Sequence, residues 1–140
     1  MKKIISFILA LSCLISMFAV MPASAAATDS MEIYGLYLKK DGDSVLLKLS
    51  DSWLLMDTGR EETSDQLIAH LKSYGVKKLD IYISHLHPDH YGGVAAIGKN
   101  KGFTVGKIYL PDLSIGKGYE HQEYFTRKLY EWSGASKVQY

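Results

Sequence analysis

Ser84-His85-Leu86-His87-Pro88-Asp89-His90-Tyr91-Gly92-Gly93 is the stretch on which the reading of this chain turns. Three of the chain's five histidines fall here, with one aspartate among them. Pro88 disfavours the α region for the residue before it, which keeps His85 and His87 off a helix. On extended backbone, residues two apart point the same way, so both imidazoles can reach one metal ion. Asp89 and His90 lie beyond Pro88, where the chain can turn, and can reach a second position. Gly92 and Gly93 let the backbone pass close to that site and enter the next helix. Neutral imidazole with carboxylate suits zinc, and also iron or manganese. A site of this kind lowers the pKa of a bound water to about 7, and two metals about 3.5–4 Å apart also polarise the substrate oxygen. Four donors packed together after an alternating strand, and closed by Gly-Gly, argue against histidines that are there by chance.

Around this loop the pattern is that of an α/β domain. Glu32 to Leu38, Ser44 to Leu49 and Trp53 to Met56 read as strands joined by short turns, which suggests antiparallel hairpins. Thr63-Ser64-Asp65 offers a helix start, Leu67, Ile68, Leu71 and Tyr74 recur at helical spacing, and Gly75 ends the helix. Leu79 to Ser84 alternates as a strand and runs into the histidine loop. A short helix over 92–99, a strand over 105–110, a helix over 119–132 and a last strand from Lys137 follow. Phe125, Leu129 and Trp132 share one side of the 119–132 helix. The whole implies a mixed sheet with helices packed on it.

The N-terminus reads differently. Lys2 and Lys3 precede an uncharged, almost wholly apolar run from Ile4 to Met21, and Ala23-Ser24-Ala25 fits a cleavage site. These are the three regions of a secretory signal over residues 1–25, followed by a tether over 26–30 and a domain over 31–140. The chain has 16 basic and 15 acidic residues; two of the 16 are Lys2 and Lys3, leaving 14 against 15 after cleavage. Charge therefore steers the domain neither to nucleic acid nor to a membrane. Cys13 is the single cysteine and lies within the signal, so any metal must be held by His, Asp or Glu.

His85-x-His87-x-Asp89-His90 resembles the HxHxDH signature of the metallo-β-lactamase superfamily. Asp57-Thr58-Gly59 is similar to that family's upstream aspartate, which orients the metal loop. Gly42-Asp43-Ser44 and Leu54 to Gly59 look like the hydrolase domain attached to bacterial DNA-uptake channels. Tyr74 to Asp80 is similar to that branch and to secreted phosphorylcholine esterases. The resemblance covers Met31 to about Tyr140 and implies an αβ/βα sandwich, of which this chain supplies the first half. It implies two zinc ions, the first on His85 and His87 and the second on Asp89 and His90, with Asp89 also handling the proton of the attacking water. It further implies an exported hydrolase of ester-like bonds in small molecules, phosphodiesters first and β-lactams second.

The family completes its sites with a third histidine, a bridging aspartate and a last histidine from the second half of the sandwich. These are not found here, so a missing C-terminal half or a second chain is expected to supply them. The alternative is a shortened, inactive remnant that binds metal weakly. His121 lies four residues before Phe125, on the apolar stripe of its helix, and is expected to pack or be partly exposed. His70 is expected on the solvated side of its helix. The chain's ten tyrosines and two tryptophans, Tyr82, Tyr109 and Trp132 among them, are expected mostly at core positions, which disfavours an aromatic-rich surface binder.

Overall fold

The computed structural model describes residues 30–111 and 119–139. The export signal and residues 26–29 of the tether lie outside the described residues. Six strands form one sheet in chain order: β1 (Met31–Gly35), β2 (Val45–Leu49), β3 (Ser52–Met56), β4 (Lys78–Tyr82), β5 (Thr104–Tyr109) and β6 (Val138–Gln139). β1, β2 and β3 pair antiparallel, whereas β3 to β6 pair parallel. The parallel strands need crossovers, and the helices supply them: α1 (Ser64–Ser73), α2 (Pro88–Tyr91), α3 (Val94–Lys99) and α4 (Tyr119–Tyr130). This is the mixed α/β sheet expected from the sequence.

Local chemistry sets the ends of these elements. The β2–β3 hairpin turns on Ser50 and Asp51, with Ser50 at φ 52°, as a two-residue hairpin turn demands. Gly75, at φ 74°, closes α1: its N–H reaches the carbonyl of Lys72, and the Val76 N–H reaches that of Leu71. That pair of bonds is a Schellman cap, and buried Val76 and Leu71 make its apolar contact. α2 was not expected. His87 is extended at φ −105° and ψ 147°, and Pro88 opens one helical turn, where its missing N–H costs nothing.

One row of side chains crosses the sheet in register: Leu46 on β2, Leu55 on β3, Ile81 on β4 and Ile108 on β5. All four are fully buried. They meet Leu67 and Leu71 of α1, Val94 and Ile97 of α3, and Phe125 and Leu129 of α4 in one core. The opposite parity points the other way. Ile33, Leu47 and Leu54 pair across one line of that second face, and Val45, Met56, Tyr82 and Tyr109 across the next. These side chains are half-buried or exposed, Ile33 at 60 %. Tyr82 and Tyr109 therefore stand on the open face and not in the core, because strand parity assigns the core side of β4 and β5 to Ile81 and Ile108. Trp132 is half-buried and packs against the core.

A bulge in β4–β5 lies on the open side. The register shifts between Leu79 and Ile81, and the Asp80 carboxylate accepts from the Lys107 N–H at 2.8 Å. Gly106 makes room for it, since a Cβ there would lie 2.2 Å from Asp80 Oδ1.

Candidate metal centre

The histidine loop is placed by a change of hydrogen-bond partner at the end of β4. The ladder continues past Tyr82, whose carbonyl accepts from Asp57 N at 2.8 Å, and Ile83 N donates to Tyr109 O at 3.0 Å. At Ser84 the partner becomes a side chain. Ser84 N donates to Asp57 Oδ1 and Ser84 Oγ to Asp57 Oδ2, each at 2.7 Å. The strand is released there, and the loop leaves over the sheet's C-terminal edge, where open α/β sheets bind ligands.

Asp57 is buried and sits at φ 58° in the left-handed region, which aspartate tolerates better than most side chains. Its Oδ2 also lies 2.9 Å from His90 Nδ1. A carboxylate can only accept, so His90 Nδ1 carries a proton, and in the neutral ring Nε2 keeps its lone pair. The Ser84 hydroxyl has spent its hydrogen on Asp57. It therefore accepts from His85 Nδ1 at 3.0 Å, which leaves His85 Nε2 with its lone pair as well. One carboxylate thus sets the tautomers of two histidines, one directly and one through Ser84.

The donors come together in two pairs. His85 Nε2 lies 3.1 Å from His87 Nδ1, and His90 Nε2 lies 3.8 Å from Asp89 Oδ2. The His85 ring is 4.6 Å from that of His87 and 3.9 Å from that of His90, centroid to centroid. Partial burial, with His90 and His87 close by, pushes the His85 imidazole below its usual value despite the opposing pull of Asp57 and Asp89. A lowered value favours the neutral form that a metal requires. Among the described residues no group of three or more His, Cys, Asp or Glu gathers about one point. The donor chemistry fits divalent metals, at two donors for each metal where a catalytic zinc usually has three.

The turn after β3 buttresses the loop from behind. Thr58 N donates to His90 O at 2.6 Å, Thr58 Oγ1 to the same carbonyl at 3.1 Å, and Gly93 N to Thr58 Oγ1 at 3.1 Å. No local pattern marks Thr58 or Ser84 for these roles, because a hydroxyl's partners depend on the fold. From the front, α4 is pinned by Phe125 against Tyr91 at 5.2 Å and by Lys128 Nζ against Glu61 Oε1 at 2.7 Å. His121 on α4 is half-buried, with its ring centroid 5.3 Å from that of His87. His70 lies elsewhere. It is half-buried, and its Nε2 donates to the Tyr37 carbonyl at 2.9 Å instead of facing water alone.

Comparison with known proteins bears on the fold. A solved structure of a Thermotoga maritima protein, assigned provisionally to the metallo-beta-lactamases, matches with a TM-score of 0.50 at 15 % identity, over 78 % of this chain and 57 % of that one. A metallo-beta-lactamase of Cronobacter sakazakii matches with a TM-score of 0.42 at 22 % identity, over 55 % of this chain and 30 % of that one. A subclass B3 enzyme from a soil metagenome library matches with a TM-score of 0.39 at 28 % identity, over 56 % and 30 %. This chain thus spans less than two thirds of these solved proteins. No curated protein matches it. The family model of the metallo-beta-lactamase superfamily, a group of metal-dependent hydrolases, matches residues 39–137, and the chain belongs to that superfamily.

Proposed function

We propose that this chain carries the metal-loop half of an exported two-metal hydrolase. What supports the reading is the Asp57–Ser84 arrangement, which turns Nδ1 of both His85 and His90 toward oxygen acceptors and leaves Nε2 as the nitrogen for a metal. His85 and His87 would hold one ion, and Asp89 and His90 the other. Zinc is the first choice for this donor set, with iron or manganese next. When bound, the metals would acidify a water and polarise the scissile bond. Asp57 orients, and the Asp89 carboxylate beside His90 would take the proton of the attacking water. That water's oxygen forms the new bond to phosphorus or carbon, and the leaving oxygen departs with a proton.

The substrate is a small molecule with an ester-like bond, a phosphodiester first. This part of the reading rests on the upstream motifs, Gly42-Asp43-Ser44 and Leu54 to Gly59. Export by residues 1–25 and cleavage after Ala25 would place the domain outside the cell, free of the membrane. The remaining ligands would come from a C-terminal half or a second chain seated on the open face of the sheet. Two donors per metal and the half-exposed Met56, Tyr82 and Tyr109 support this.

The test is paired. His85→Ala with His87→Ala should abolish both zinc uptake and phosphodiester turnover in the complete protein. Turnover retained by the double variant would refute the mechanism. A second reading, an inactive metal-binding remnant, is favoured by the same two-donor pairs. It requires weak binding and no turnover, and tight uptake of two metal equivalents by this chain would remove it.

A further inference from the structure

Tyr91 is fully buried, yet its hydroxyl bonds nothing among the described residues. A buried polar group without a partner needs a reason, and one reason is a ligand that supplies the partner. Tyr91 also lines a cleft of about 320 Å³, within the size range of small-molecule sites. Arg60, Glu61 and Glu62 line it from the turn after β3, Pro88 and Tyr91 from α2, and Tyr124 from α4. The cleft is held open where α2 meets that turn. Gly92 lines it too, and a Cβ there would lie 2.3 Å from Glu61 N, so backbone already rests on backbone. The charges favour an anion. Glu61 is tied to Lys128 at 2.7 Å, and Glu62 faces Lys40 at 3.9 Å. Arg60 donates Nε to the Asp41 carbonyl at 3.0 Å and meets no carboxylate at ion-pair distance among the described residues. The rest of its guanidinium offers the forked geometry that oxyanions accept. Arg127 and Lys128 add positive charge beside the Tyr124 ring, each at 5.4 Å from its centre. Tyr124 is 41 % exposed, with its ring 6.3 Å from that of Tyr91, and gives the cleft an aromatic wall. Burial pushes the Tyr91 phenol above its usual value, so the hydroxyl keeps its hydrogen and can donate it.

We propose that this cleft binds a small aromatic ring that carries an oxyanion, with Arg60 on the anion, Tyr124 against the ring and the Tyr91 hydroxyl donating to an oxygen. A turn of the exposed Tyr124 side chain opens the Tyr91 hydroxyl to the ligand. The site goes beyond the metal-binding reading above and does not depend on it, since none of its residues is a metal donor. The two places are neighbours all the same. Pro88 stands between His87 and Asp89, so a ligand in the cleft touches the turn that carries Asp89 and His90.

The experiment measures ligand affinity by calorimetry, with a chelator present so that no metal takes part. Phenyl phosphate is the probe, and phenol and inorganic phosphate are its two halves. Phenyl phosphate should bind saturably, at one equivalent, and more tightly than either half. Arg60→Gln removes a charge-assisted bond and should weaken it roughly tenfold or more. Tyr91→Phe removes one neutral hydrogen bond and should weaken it roughly two- to tenfold, with the melting transition not lowered. Tyr124→Leu should lose the preference for phenyl phosphate over inorganic phosphate. Tyr130→Leu, at an exposed position near the other end of α4, should change nothing. Absence of saturable binding by the folded chain would overturn the proposal. So would equal affinities in the unaltered chain, Arg60→Gln and Tyr91→Phe, since the Tyr91 hydroxyl then meets a buried water only. Binding that appears only once zinc replaces the chelator, and is lost in His85→Ala, belongs to the metal loop; it sinks this inference and leaves the metal-binding reading standing.

Discussion

Asp57 Oδ2 accepts a hydrogen bond from His90 Nδ1 at 2.9 Å, across 33 residues of sequence. The same carboxylate takes both the backbone and the hydroxyl hydrogen of Ser84. Asp57→Asn separates its roles. Asparagine tolerates the left-handed backbone at φ 58°, so the turn should survive. Its amide, however, cannot accept from Ser84 N, Ser84 Oγ and His90 Nδ1 together. Partners of this kind are worth about tenfold to a hundredfold in metal affinity. Zinc competition should therefore show a loss of that size with little change in the melting transition. A large fall in stability with unchanged affinity would make Asp57 a purely structural residue.

Gly92 tests how tightly the loop is held. A Cβ there would lie 2.3 Å from Glu61 N and 2.7 Å from both Arg60 C and Pro88 O, all backbone atoms. Nothing among them can rotate away. Gly92→Ala should cost roughly 1–3 kcal/mol, the range for forcing extra volume into a packed site. Urea denaturation reads it. A cost below about 0.5 kcal/mol, the scatter of neutral surface changes, would mean that the loop is free to shift.

The parts that were legible in the sequence are those fixed by local rules. Pro88 disfavours a helix at His87, and His87 is extended. Gly75 ends α1, and strand alternation in β4 gives Ile81 to the core. The sequence also marked Asp57, but only by resemblance to a family pattern. Its three hydrogen bonds join positions 27 and 33 residues apart, and no local pattern encodes them. His121 shows the same limit from the other side. Periodicity put it on the stripe of Phe125. What lies opposite that stripe depends on where α4 docks, and that is set by Tyr91 and Glu61. Tyr82 and Tyr109 were misplaced because hydrophobicity alone does not say which face of a sheet has helices on it.

Lys128 gives the fold a pH-dependent contact. Its ammonium is largely buried, bonds Glu61 Oε1 at 2.7 Å, and lies 3.5 Å from Glu131 Oε1 and 5.4 Å from the Tyr124 ring. The bond to Glu61 raises its pKa above the usual 10.5, against the opposing effect of burial. A raised pKa means stability that is fully present below the unfolded value and lost as pH climbs through the folded one. Stability should therefore decline above about pH 10.5. Lys128→Met keeps the stem and removes the charge. It should shift stability at neutral pH by no more than about 1 kcal/mol, since Glu61 is free to rehydrate, and should remove the alkaline decline. Glu61→Gln should cost more at neutral pH, because it leaves the buried ammonium with only the longer contact to Glu131. Equal costs for the two variants would show that the pair contributes nothing to docking α4.

The two faces of the sheet make a sharper contrast. Ile81 is fully buried at the centre of the row from Leu46 to Ile108, with helices above it. Ile81→Ala leaves a cavity that neighbouring strands cannot fill, and should cost about 2–5 kcal/mol. Ile33, on β1 and on the open face, is 60 % exposed. Ile33→Ala should stay within about 0.5 kcal/mol, as exposed substitutions do. Both are read by urea denaturation of this chain. If Ile33→Ala costs as much as Ile81→Ala, the open face is covered in solution by another copy of the chain, and the cost should then fall on dilution. If Ile33→Ala is neutral at every protein concentration, the face is bare. The half-buried Met56, Tyr82 and Tyr109 beside the metal loop are then free to receive the second half of the site.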